Sequence, residues 1–235
     1  MNASTVNAEL LAYYESIWTD MKRDLMSHHA LDHPQFISVN NEYVNATTRL
    51  MIIGMEPTNW GVDEYGRCFG ERSVTELIEI HSNFDNSRSK LKLQSNPFWR
   101  TSYKLQGKVN PSDDKFGFAY SNLVKLTENG KSKSRTMMKS ILQFPILQKE
   151  IELVKPQAVV FFTGFAPFYM AALENTFEGL GKNRIAEHLF LLSHPNLPNK
   201  TFLTEHPRTL DGKGRAATQG VLETISLSIK RTERP

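Results

Sequence analysis

At 235 residues, 40% of them hydrophobic, the chain can bury the core of one domain or two small ones. It has no apolar run near the ~20 residues of a bilayer-spanning helix. The single cysteine, Cys68, excludes an intramolecular disulfide and a cysteine-held metal or iron–sulfur cluster. Met-Asn-Ala-Ser at the start is not the basic-then-apolar opening of a secretory signal, so a cytoplasmic protein is expected.

In chain order, Leu10, Leu11, Tyr14, Trp18, Met21 and Leu25 recur at helical spacing and predict an amphipathic helix from about Asn7 to Met26. His28, His29 and His33 follow without a carboxylate or cysteine set beyond Asp32, which reads as a surface turn rather than a metal site. Leu50–Ile53 is apolar, too brief for a helix and closed by Gly54, as in a buried parallel strand. Gly54 and Pro57 then force a turn that carries Glu56. A helix is predicted over Val74–Ile80, followed by a long polar stretch from Ser82 to Lys115. Between Asn86 and Arg135, eleven Lys and Arg face only Asp113, Asp114 and Glu128, although the whole chain carries a net charge of just +3. Arg88, Lys90, Lys92, Arg100, Lys104 and Lys108 are interleaved there with Phe98, Trp99 and Tyr103, a pattern that suits either a phosphate backbone or an ordinary solvated face.

Further strands are predicted over Phe118–Lys125, Ala158–Gly164 and Thr201–His206. Helices are predicted over Ser134–Val154 (broken near Pro145), Ala166–Glu174 and Arg215–Lys230. Alternating strands and helices imply an α/β fold: a three-layer α/β/α sandwich around a four-stranded parallel sheet. With no internal repeat and no long linker, one domain is expected over 1–235, with 1–48 a helical extension packed on it. Parallel strands present their C-terminal ends on one side, where open α/β sheets bind ligands. Glu56, Asn122, Gly164 and His206 would therefore converge from across the sequence. Each also has a plainer reading. Asn122 fits a turn and His206-Pro207 a structural junction, while His194-Pro195 is a second such pair. Phe69 fits core packing.

Gly54-Met55-Glu56-Pro57, Phe69-Gly70-Glu71, Asn122-Leu123 and His206-Pro207 occur in the order found in the uracil-DNA glycosylase superfamily, which the chain resembles from about Arg49 to Gln219. It looks most like the single-strand-selective monofunctional branch, whose first motif reads Gly-Met-Asn-Pro before Pro-Phe-Gly-Glu. The phrase from Lys155 to Gly164 resembles the superfamily's third strand. The resemblance implies a hydrolase that cleaves the N-glycosidic bond of uracil or another damaged base flipped out of DNA, with no cofactor and no metal. By that resemblance Glu56 and His206 are catalytic, and Gly54, Met55, Pro57, Phe69 and Asn122 bind the base. Arg208, Leu210, Lys213 and Arg215 contact DNA, with Arg208 and Leu210 as wedge residues. DNA is then the partner, without a membrane, and a monomer is expected. The chain departs from the family at Glu56, where aspartate or asparagine is usual, at Thr58, which replaces a glycine, and at Arg208, where serine or alanine is commoner. The alternatives are a non-catalytic nucleic-acid-binding relative, or a hydrolase of free nucleosides or nucleotides.

Overall fold

A computed structural model of the chain describes residues 1–25, 31–57, 60, 69–88, 93–128 and 142–231. Six strands form one sheet: β1 (Leu50–Gly54), β2 (Ala119–Asn122), β3 (Ala158–Phe161), β4 (Gly181–Ala186), β5 (Leu189–Ser193) and β6 (Thr201–Thr204). Their order is β2-β1-β3-β6-β5-β4. The four predicted strands are present and mutually parallel, with Gly54 in register with Asn122. The expected four-stranded sheet is nevertheless a six-stranded mixed one, because β4 and β5 add an antiparallel hairpin beside β6. In β4 the run Gly-Lys-Asn-Arg-Ile-Ala lies at the edge and is largely exposed, so it lacks the apolar signal by which the inner strands are recognised.

The sheet is apolar on both faces. Met51 and Ile53 of β1 join one core, whereas Leu50 and Ile52 join the other. Val159 and Phe161 alternate with Ala158 and Val160 in the same way, as the two-residue period of a strand requires. Helices α1 (Ala3–Leu25), α3 (Val74–Ser87), α5 (Ile146–Val154) and α6 (Pro167–Thr176) cover the first face. Helices α4 (Pro97–Val109), α7 (Pro207–Gly212) and α8 (Arg215–Lys230) cover the second. A short helix, α2 (Asn41–Val44), leads into β1. The chain is thus the α/β sandwich expected, and none of its described helices is long and apolar enough to cross a membrane.

The N-terminal helix is tied to the sheet by a buried polar knot. The Tyr14 hydroxyl donates to Glu150 at 2.9 Å and accepts from the Ile37 N–H at 3.1 Å. Glu150 also accepts from Ser121 Oγ at 2.8 Å and pairs with the buried Lys125 ammonium. Three packed elements are joined through one carboxylate.

The polar stretch Ser82–Lys115 holds the end of α3, a 3-10 turn (Leu93–Ser95) and all of α4. Helix α4 buries Thr101, Ser102 and Gln106 beside Trp99 and Leu105, so part of its inner face is polar in sequence. His33 is fully buried instead of lying in a surface turn. His28, His29, Thr58, Cys68, Lys90, Lys92 and residues 134–141 of the helix predicted over Ser134–Val154 lie outside the described residues.

Candidate active site

The chain leaves β1, visits β2 on one side, then crosses to β3 on the other. That reversal opens a crevice at the C-terminal strand ends. A cleft of about 760 Å³ occupies it. Its lining includes Gly54, Met55, Glu56 and Pro57 from the turn after β1, Asn122 from the end of β2, and Gly164 after β3. His206 and Arg208 join them from the chain beyond β6. An acidic turn, a carboxamide and an imidazole are therefore gathered around one opening.

Gly54 sits where no side chain fits. A Cβ there would lie 2.4 Å from Asn122 Oδ1 and 3.3 Å from Cε2 of Phe98. Amide and ring thus close on the same glycine. Asn122 Nδ2 donates to Gln35 Oε1 at 2.8 Å. Glu56 is approached from another element: the Tyr169 phenol on α6 lies near enough to feel its charge. Burial, then the Glu56 charge, raises the Tyr169 phenol above its usual value. The phenol therefore stays a donor.

His206 caps α7, its Nδ1 accepting from the Arg208 backbone N–H at 3.2 Å. A backbone N–H only donates, so Nδ1 carries no proton and the neutral ring holds its proton on Nε2. Burial, then the Arg208 charge, lowers His206 from 6.5 to about 4. At pH 7 the cleft therefore contains a neutral imidazole whose free nitrogen is a donor.

Other predicted residues lie elsewhere. Phe69 is outside the lining, its ring edge-on to Trp18 with centroids 5.4 Å apart. The aromatic side against Gly54 is Phe98, which the sequence placed in the basic segment. Leu210 is fully buried in the core with Val221 and Leu222, because one turn of α7 points it inward, so it is not presented as a surface wedge. Arg208, at the cleft, and Arg215 are exposed, and Lys213 Nζ lies 3.9 Å from Glu205. His194 packs on Phe177 and is not among the lining residues.

The basic segment is less free than its charge count suggests. Arg88 is buried against Asp85 and donates to the carbonyls of Phe116 and Phe118. Arg100 pairs with Asp211 and Lys108 with Glu223. Lys104 is exposed. Gln35 and Glu205 are among the lining residues that were not singled out from sequence. Gln35 precedes every motif, and Glu205 was read only as the end of a strand. Among the described residues no group of three or more His, Cys, Asp and Glu is placed to hold a metal ion.

A sequence profile described as the Uracil DNA glycosylase superfamily matches residues 41–219. No curated protein matches the chain.

Proposed function

We propose that this chain, which belongs to the uracil DNA glycosylase superfamily, is a monofunctional DNA glycosylase that removes uracil or another damaged base after flipping it from DNA. The observation that supports this reading most is the meeting of Glu56, Asn122 and His206 at one cleft from three strand ends. The reading also places the chain nearest the single-strand-selective branch, and treats residues 1–48 as part of the same folded unit.

A base within a duplex is out of reach, so it must be extruded and read along its edge. Asn122 offers both a donor and an acceptor to such an edge. Phe98, rather than Phe69, supplies the ring against which the base stacks. As the N-glycosidic bond breaks, its electron pair goes to the base and positive charge develops on the sugar. The Nε2–H of His206 donates to the carbonyl oxygen of the departing base anion, an interaction worth about 3 kcal/mol in comparable sites. The Glu56 carboxylate stabilises the sugar cation and takes a proton from the attacking water, whose oxygen bonds to the sugar. The base anion takes up a proton and leaves an abasic site. No lysine is among the described lining residues, in keeping with water rather than an amine as nucleophile. Glu56 is one methylene longer than aspartate, and the neighbouring Tyr169 hydroxyl is the group that would steady that longer arm by donating to it. Arg208 at the cleft, and the exposed Lys213 and Arg215 that follow it in the chain, meet phosphates.

The test is incubation with single- and double-stranded oligonucleotides carrying uracil, hypoxanthine or xanthine, then alkaline cleavage at abasic sites. Cleavage at one of these lesions is expected. Intact strands for all of them at enzyme excess would refute the proposal.

A further inference from the structure

We infer that Gln35 sets which way round the Asn122 carboxamide faces, restricting the cleft to bases whose edge carries an N–H beside a carbonyl. This rests on the reading of the cleft as a nucleobase site. Uracil, hypoxanthine and xanthine have such an edge. Cytosine and adenine, with an amino group beside a bare ring nitrogen, do not.

Gln35 lies outside the matched residues 41–219, in an extended segment laid beside the chain that leaves β2. The Asp32 N–H donates to the Thr127 carbonyl at 2.8 Å, and the Gln35 N–H to that of Lys125 at 2.9 Å. These bonds deliver the Gln35 side chain, fully buried, beneath the last residue of β2. Its Oε1 accepts from Asn122 Nδ2 at 2.8 Å. Asn122 itself borders the cleft.

A carboxamide has one oxygen and two N–H groups. With one N–H engaged by Gln35, Asn122 keeps the other N–H and its Oδ1 for a ligand. That pair complements a carbonyl and an N–H side by side on the base. An edge with an amino group and a bare nitrogen needs the reverse order, with the amide turned over. Turning it would set Asn122 Oδ1 against Gln35 Oε1, two acceptors with no proton between them, away from water where the loss is greatest. The amide turns only if Gln35 turns with it. Discrimination between the two edges is thus shared with a residue that need not touch the base, which makes Gln35 a positioning residue.

The full-length chain with 15N-labelled side-chain amides is titrated with N1-methyluracil and with N1-methylcytosine, following the Asn122 resonances. Wild type is expected to bind the uracil at least about tenfold more tightly, the discrimination typical of one well-made base contact. Gln35→Glu, which keeps an acceptor oxygen at the same place, should preserve the ratio. Gln35→Met, similar in size but without the hydrogen bond, should bring it within about threefold. A Gln35→Met protein with a native backbone spectrum that still discriminates tenfold overturns the inference and leaves the proposed function standing. Equal binding of both pyrimidines by wild type also overturns it. Binding of neither by wild type removes the inference together with the nucleobase reading of the cleft.

Discussion

The backbone N–H of Arg208 donates to Nδ1 of His206 at 3.2 Å, and this contact fixes the chemistry of the imidazole. It leaves the proton on Nε2, and burial followed by the Arg208 charge holds the ring neutral down to about pH 4. The expected NMR titration shows no midpoint for His206 between pH 5 and 8 and a proton on Nε2 throughout. A midpoint near the ordinary 6.5 would contradict the arrangement. Replacement by leucine, which removes the donor but keeps the bulk, should lower the base-release rate about 10²- to 10³-fold.

Tyr169 approaches Glu56 from the helix that follows β3. If that hydroxyl holds the longer carboxylate arm in place, Tyr169→Phe should lower the single-turnover rate by about five- to tenfold, the worth of one hydrogen bond to a charged group. Binding of DNA should be unchanged. Equal rates for the two proteins would mean that Glu56 needs no such support.

Gly54→Ala introduces a methyl group 2.4 Å from Asn122 Oδ1 and 3.3 Å from Phe98. Both side chains must shift. A displacement of ~1 Å near reacting groups costs about a hundredfold in rate. The expected result is a folded protein by circular dichroism with base release reduced by that order, and wild-type kinetics would place the substrate elsewhere.

The buried His81 predicts how stability follows pH. Burial first, then the charges of Arg88 and Lys125, lowers it from 6.5 to about 3, despite a raising contact with the Tyr120 backbone. Between those values the unfolded chain binds a proton that the folded chain lacks, so stability falls as pH drops through that window. His206 acts in the same direction between 6.5 and about 4. Asp85 opposes them. Burial raises it from 3.8 to about 6, so the folded chain holds the extra proton there and loses stability as pH rises through that range. Chemical denaturation of His81→Gln between pH 6.5 and 4 should show a shallower loss on acidification than wild type. An unchanged slope would rule out His81 as a source of the acid sensitivity.

Much of the frame could be read from residues, for identifiable reasons. The four parallel strands are buried on both faces, and two of them, Leu50–Gly54 and Ala158–Phe161, appear as unbroken apolar runs. At Arg215–Lys230 the expected helix and the observed one coincide, since its inward positions are aliphatic. The edge strand Gly181–Ala186 has no such signal, and the buried Thr101, Ser102 and Gln106 obscured the inner face of α4. At the cleft, the turn, the amide and the imidazole stand at strand ends, which local pattern locates. The aromatic residue does not follow from pattern. Phe69 and Phe98 are equally apolar, and only the path of α4 brings the second beside Gly54. Gln35 carries no motif and nears the cleft only through tertiary packing, whereas Glu205 is there because it precedes His206 after β6.

The most direct measurement is the yield of free base and abasic site from one lesion-bearing strand under enzyme excess, for wild type, Glu56→Gln and Asn122→Ala. Wild type should give the two products in equal amounts, with Glu56→Gln slower by about 10²- to 10⁴-fold, the range for a positioned general base, and Asn122→Ala slower as well. Release of base at the wild-type rate by both variants, or none by wild type from uracil, hypoxanthine or xanthine, would contradict the account.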